Sequence, residues 1–182
     1  MSTAGEWAAL PHHNKRLEHV YEANKAWRDE MSASDPHFFE DLGAGHTPNY
    51  LAIGCADARV PLNEILGLPA GEVFVHRNVG NQVVSTDVSL QGSIQYAVDY
   101  LGVSHIVVCG HYDCGAIRAA SSNRHHGAPL ENWLTPLRDI QRLHKSELIR
   151  FGKDGSDDRR HRRLVELSVI EQCLGCDSAA LA

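Results

Sequence analysis

Three short runs carry uninterrupted apolar character: Tyr50–Ile53, Glu72–Val75 and His105–Val108. Continuous rather than alternating hydrophobicity over four or five residues marks a strand buried on both faces, the condition of a parallel sheet. Between the second and third runs, Leu90, Ile94, Ala97, Val98 and Leu101 recur three and four residues apart, from Asp87 to a stop at Gly102. That spacing predicts a helix with one apolar face. Strand, helix, strand in that order predicts βαβ units and a parallel sheet buried on both faces.

The flanking segments are patterned for helices. From His13 to Met31 the apolar positions Leu17, Val20, Tyr21, Trp27 and Met31 fall at helical spacing, and Ser34-Asp35-Pro36 ends the run. A short helix is expected around Phe38–Leu42, another over Cys114–Ser122, and one long helix over Pro129–Leu148 with Leu130, Trp133, Leu134, Leu137 and His144 on one side. The stretch from Gly152 to Arg163 is polar and highly charged, a solvated loop or the start of a helix, and the residues from Leu174 onward have no strong pattern. The expected architecture is α/β: a parallel-core sheet flanked by helices, with an N-terminal helical arm. We expect one domain over 1–182, divided into the arm (1–35), an α/β core (36–172) and a short divergent tail (173–182).

Composition narrows the classes. With 182 residues, 43% hydrophobic and 22% charged, the chain has the balance of a packed globular domain, which sets aside disorder and fibrous repeats. Lys and Arg number 17 against 23 Asp and Glu, a net charge of −6 that disfavours nucleic acid and anionic membrane as partners. No apolar run approaches the ~20 residues of a membrane span. The first residues lack the basic and apolar regions of a leader, so the expected location is cytoplasmic. Five cysteines are an odd number, and a chain of this length stabilises itself by burial, so metal ligation or core packing explains them better than a disulfide framework.

Ligands of open α/β sheets gather just past the carboxyl ends of the strands. Two motifs stand there: Cys55-Ala-Asp-Ala-Arg59 after the first strand, and Gly110-His-Tyr-Asp-Cys114 after the third. Neighbouring parallel strands would bring Cys55, His111 and Cys114 together. Two thiolates and one imidazole suit Zn2+ in a tetrahedral site, and three protein ligands leave the fourth position for water. The plainer alternative makes Cys55 and Cys114 small buried hydrophobes and His111 a loop residue; Cys109, inside a strand, is read as core. If the segment after Cys55 stays extended, Asp57 and Arg59 point to its side. Asp57 would then ligate the metal or accept a hydrogen bond from its water, with a bidentate Arg59 holding it off the metal and ionised. A surface ion pair is the alternative. On the residues alone Phe74 and Val79 read as core, and Tyr96 as a helix residue packed on the sheet.

Taken together, Cys55-x-Asp-x-Arg59, Val73-Phe-Val-His-Arg-Asn-Val79 and Gly110-His-x-x-Cys-Gly115 resemble the β-class carbonic anhydrases. The motifs keep the family's order and separation, and the likeness runs over about residues 13 to 172. The resemblance implies a lyase that reversibly hydrates CO2 to bicarbonate and a proton through a zinc-bound hydroxide. It implies one Zn2+ per subunit on Cys55, His111 and Cys114, with Asp57 and Arg59 as the catalytic dyad. It also implies an apolar CO2 cleft at a subunit interface, matched here by Phe74, Val79 and Tyr96, and therefore a homodimer or a dimer of dimers.

Two departures qualify what the resemblance implies. His46 stands where many members have a Gln that hydrogen-bonds bicarbonate; it can donate a similar bond or carry protons, or be a solvated loop residue. The family usually continues past Val169-Ile-Glu-Gln172 through another strand and helices, whereas this sequence has Cys173-Leu-Gly-Cys176 and stops at Ala182. A shortened end would expose a sheet edge and reduce the dimer surface, so an inactive relative is one alternative. A second is a structural zinc module built from His111, Cys114, Cys173 and Cys176.

Overall fold

The computed structural model describes residues 17–152 and 157–180, with side chains through Cys176. The helix start expected at His13, the rest of 1–16, and positions 153–156 of the charged stretch lie outside the described residues. The chain divides into two compact units, one ending at Gly45 and the other starting at His46.

The first unit holds helices α1 (Glu18–Ser34) and α2 (Phe38–Gly43). Helix α1 ends where the sequence predicts: Asp35 is extended, as a residue before proline prefers to be, and its N–H bonds back to Met31 O. Trp27 meets the edges of Phe38 and Phe39 at ring-centroid distances of 6.4 and 5.6 Å. The rest of the expected apolar face is not covered, because Leu17, Val20 and Tyr21 are all exposed.

The second unit is built on three parallel strands, β1 (Tyr50–Cys55), β2 (Val73–Asn78) and β3 (His105–Cys109), in the order β2-β1-β3. Central β1 explains its own unbroken hydrophobicity: Leu51, Ala52 and Ile53 are fully buried. Helix α3 (Leu62–Leu66) covers one face so closely that a Cβ on Gly54 would come within 2.6 Å of Leu62. On the other face, Leu51 and Ile53 pack with Leu90, Ile94 and Ala97. Leu90 and Ile94 belong to α4 (Val88–Gln95), whose start is capped by Asp87 accepting from the N–H groups of Ser89 and Leu90.

Here the predicted helix changes pitch. Tyr96–Tyr100 forms one π-helical turn before Gly102 adopts φ +66°. The wider turn rotates Val98 out of the expected apolar stripe, leaving it 38% exposed.

After β3 the chain forms α5 (Gly115–Ser121), α6 (Leu130–Trp133), α7 (Thr135–Leu143), α8 (Lys145–Phe151) and α9 (Asp157–Ala180). The single helix expected over Pro129–Leu148 is therefore three. Pro136 lacks the N–H that would continue α6, and His144 at φ −96°, ψ 20° separates α7 from α8. Leu134, Leu137, Ile140 and Leu148 still converge on one core with Ala116, Ile117 and Leu164, while Leu130 is exposed. From Asp157 the charged stretch is the start of a helix, and α9 continues past Leu174 to Ala180, where the sequence lacked a pattern. It crosses the end of β3, where a Cβ on Gly110 would come within 2.4 Å of Val169 Cγ2. Gln172 Oε1 accepts from Val83 N at 2.5 Å. Among the described residues no helix is long and apolar enough to cross a membrane.

Candidate metal centre

The carboxyl ends of β1 and β3 place Cys55, His111 and Cys114 together, with their ligand atoms all within 4.8 Å of one another. Cys55 closes β1. Past β3 the chain turns sharply: Asp113 adopts φ +59°, and Cys114 is the N-cap residue of α5. That left-handed residue lets a His-x-x-Cys segment fold back so that both of its ends face the strand terminus.

Both sulfurs are buried, Cys55 at 4% and Cys114 at 1% exposure. Zn–S bonds of about 2.3 Å at tetrahedral angles separate two sulfurs by roughly 3.8 Å. The Cys55 and Cys114 Sγ atoms stand 3.9 Å apart. His111 Nδ1 lies 3.1 Å from Tyr112 O, so the N–H on that nitrogen donates to the carbonyl. The lone pair of Nε2 is thereby left toward the sulfurs. Nε2 is buried and has no hydrogen-bond partner, which is costly unless something else occupies its lone pair. Soft donors, tetrahedral spacing and an orphaned imidazole nitrogen all fit a Zn2+ ion.

The electrostatics favour at least one thiolate. The Cys114 thiol donates toward Cys55, which also accepts from Gly80 N at 3.4 Å, and the Cys55 thiol is drawn down. Cys114 is pushed up by the same sulfur and then by burial. A metal ion would resolve this sharing of one proton by taking both sulfurs as thiolates.

Asp57 and Arg59 flank the cluster, but not by strand alternation. The chain turns directly after Cys55: Val60 N bonds to Asp57 O at 3.0 Å, and Arg59 N bonds to Asp57 Oδ1 at 3.0 Å. The turn folds the Arg59 guanidinium onto the carboxylate, with Nε donating to Oδ1 at 2.9 Å and Nη2 to Oδ2 at 2.7 Å. These side-chain bonds hold the Asp57 carboxyl well below the usual range. Asp57 Oδ2 is 3.8 Å from His111 Nε2, so the carboxylate borders the ligand cluster.

Two residues contribute here that the sequence alone does not assign to the metal centre. Arg77, on β2, donates to Cys55 O at 2.9 and 2.7 Å and to Asp57 O at 2.6 Å, fixing the backbone that carries Cys55 and Asp57. Gly80, at φ +87°, brings its N–H to Cys55 Sγ; a Cβ there would be 3.0 Å from Ala116 Cβ. Arg77 lies within the Val-His-Arg-Asn motif, but its carbonyl targets follow from the pairing of β2 with β1, which spacing does not reveal.

The residues expected to line a cleft fall in two places. Phe74 contacts Tyr96 (5.7 Å between centroids) and His46 (6.4 Å), and Tyr96 stacks on Tyr100 at 5.5 Å. Val79 instead borders an apolar groove of about 880 Å³ with Trp133 and Pro136, and its carbonyl accepts from Trp133 Nε1 at 2.7 Å. Tyr96 and Val79 are both exposed, so neither has the buried environment expected of core or of sheet packing. Cys109 packs as core, and burial pushes its thiol up.

The structural zinc module is not formed. Cys176 is buried among Leu51, Ile53, Leu90 and Ile94, whereas Cys114 packs in a separate cluster with Cys55. Among the described residues, Cys55, His111 and Cys114 are the only metal-ligating group found.

Comparison with known proteins agrees with this geometry. Residues 50–178 match the family model for carbonic anhydrase. The chain is 52% identical over 154 residues to a carbonic anhydrase of Emericella nidulans, covering 85% of this chain and 66% of that protein. It is similar to a tetrameric β-carbonic anhydrase of Sordaria macrospora, with a TM-score of 0.81 and 35% identity over 91% of this chain and 86% of that one. A Coccomyxa β-carbonic anhydrase in complex with acetazolamide gives a TM-score of 0.83 and 35% identity, over 90% of this chain and 72% of that one. The chain spans between about half and two thirds of the length of the curated relatives it matches.

Proposed function

The chain belongs to the β-carbonic anhydrases, and from that premise and the geometry of its site we propose that it catalyses the reversible hydration of CO2 to bicarbonate and a proton. Cys55, His111 and Cys114 would hold one Zn2+ per subunit. The observation that carries the reading is the pair of buried sulfurs 3.9 Å apart beside an imidazole nitrogen with no other partner. When bound, Zn2+ supplies Lewis-acid activation of water, bringing its deprotonation from about 15.7 toward about pH 7.

The chain's own residues do the rest. Arg59 keeps Asp57 ionised, so its carboxylate serves purely as a hydrogen-bond acceptor at neutral pH. An acceptor in that place aligns the O–H of the attacking oxygen and leaves a lone pair free for carbon. Arg59 occupies both carboxylate oxygens and so opposes ligation of the metal by Asp57. Phe74, Tyr96 and Val79 provide apolar surface suited to an uncharged linear substrate, and His46, against Phe74, can donate to the bicarbonate product.

The exposed Tyr96 and Val79 surfaces, with the half-buried Phe74 beside Tyr96, support a homo-oligomer, a homodimer or dimer of dimers, in which a second copy completes the cleft. Thiol ligands are most easily kept reduced in a reducing compartment, and the cytoplasm is our assignment.

The test is stopped-flow CO2 hydration by zinc-loaded protein at about pH 7 and 8.5, with metal content and solution mass measured on the same sample. Hydration that disappears together with zinc in Cys55→Ser supports the proposal. Stoichiometric zinc without hydration at either pH overturns it.

A further inference from the structure

Arg59 grips Asp57 at two points, yet whereas the Asp57 side chain is 18% exposed, that of Arg59 is 61% exposed. An exposed arginine has wide rotamer freedom, so the guanidinium needs a hold beyond its bidentate bond to Asp57 to stay in one place. That hold on the guanidinium comes from the other ligand-bearing segment. Arg59 Nη2 donates to Asp113 O at 3.2 Å, and Nη1 lies 3.5 Å from Asp113 Oδ2. Asp113 Oδ1 in turn accepts from Arg118 Nε at 2.5 Å. Arg118 is carried by α5, whose Ala116, Ile117 and Ala120 are buried, so this end of the series is attached to the core.

Four groups thus alternate in sign from the core-anchored helix to the site: Arg118, Asp113, Arg59, Asp57. We infer that Asp113 and Arg118 are positioning residues, which hold the Arg59 guanidinium where it keeps Asp57 turned away from the metal position. The inference rests on the proposed zinc site. It goes beyond the dyad, because the side chains of Asp113 and Arg118 belong neither to the dyad nor to the ligand group. The series matters because Asp57 Oδ2 needs little movement: it already stands 3.8 Å from His111 Nε2. A purely stabilising role is a poor explanation, since Arg59, Asp113 and Arg118 are all exposed and exposed ion pairs stabilise little.

Asp113→Asn keeps the shape of the side chain and a residue type that tolerates positive φ, while removing the charge. Arg118→Gln breaks the same series from a different element, so a folding defect in one variant leaves the other informative. Both are loaded with Co2+, whose visible absorption reports the number and kind of its ligands, and with Zn2+ for kinetics. We expect full metal content, urea midpoints like wild type, and a changed Co2+ spectrum in both variants. For the zinc forms we expect kcat lower by about tenfold and KM within about twofold. Spectra and kcat both within about twofold of wild type in the two variants would overturn the inference. If wild type itself fails to hydrate CO2, the function proposal falls, and the Co2+ spectra still decide the positioning role.

Discussion

The two halves of the site are made by different physics. The inner half, Cys55 and Cys114 with the imidazole of His111, is set by strand ends and packed against the core formed by α5, α7 and α9. The outer half, Asp57, Arg59 and Asp113, is set by hydrogen bonds among charged groups at the surface. Burial makes the inner half rigid and intolerant of change, because each polar atom there needs a partner. Exposure makes the outer half cheap to alter in stability and adjustable in position. Metal affinity should therefore reside in the first half, and the rate with metal in place in the second.

The comparison breaks if a change in one half produces the other's effect. Cys114→Ser gives the largest expected loss: zinc is released, and CO2 hydration falls by about a thousandfold or more, as it does when an activating metal is removed. Arg59→Gln should retain full zinc and lose roughly a hundredfold in kcat through misplacement of Asp57. Metal analysis beside stopped-flow assays separates the two, and zinc loss in Arg59→Gln would refute the division.

Arg77 sharpens the boundary, because its guanidinium reaches both halves through the carbonyls of Cys55 and Asp57. Arg77→Gln leaves two carbonyls short of donors and should weaken zinc affinity and lower kcat, each by about tenfold. Competition with a chelator measures the first and steady-state kinetics the second. A change confined to kcat would assign Arg77 to the outer half alone.

How much of this was legible in the sequence follows the same division. The three strands could be read because β1, buried on both faces, admits no polar residue, and their termini necessarily sit where ligands gather. Cys55, His111 and Cys114 are found once β1 and β3 are neighbours. The outer half resisted because strand alternation was extended past Cys55, where the backbone instead turns at Asp57. An Asp–Arg pair two residues apart is compatible with either geometry, and only the Arg59 N–H bond to Oδ1 selects the turn. The break at Pro136 was readable in principle, since proline ends a hydrogen-bonding series, but the continuous apolar stripe from Leu134 to Leu148 masked it. The contacts of Arg77 and Arg118 were not readable, because both follow from which backbone atoms the tertiary fold leaves in reach.

A smaller effect tests the rigidity of the inner half. Gly110, directly before His111, admits α9 so closely that Val169 occupies the space of a side chain. Gly110→Ala must push aside the Val169 side chain or the helix that carries it and should cost about 1–3 kcal/mol, seen as a lower urea midpoint at unchanged slope. A midpoint equal to wild type would show that the strand end yields easily and that the ligand geometry is softer than its burial implies.

The smallest expected effect concerns His161 of α9, which is 6% exposed. Burial, and after it the positive charge of Arg118, lowers its pKa below the ordinary 6.5, against the opposing pull of Asp113, Asp158 and Asp157. A group whose folded pKa is depressed binds protons more readily when unfolded. Its contribution to stability is therefore complete above the unfolded value and is lost as the pH falls from 6.5 through the folded value. Protonation of the metal ligands also destabilises in acid, but it acts alike on wild type and on a His161 variant and cancels in their difference. His161→Asn, which cannot take up a proton there, should therefore lose less stability than wild type between about pH 7.5 and 5.5 in paired urea titrations. Parallel curves would mean that His161 reaches solvent readily, and that the packing of α9 against the site is looser than the inner half requires.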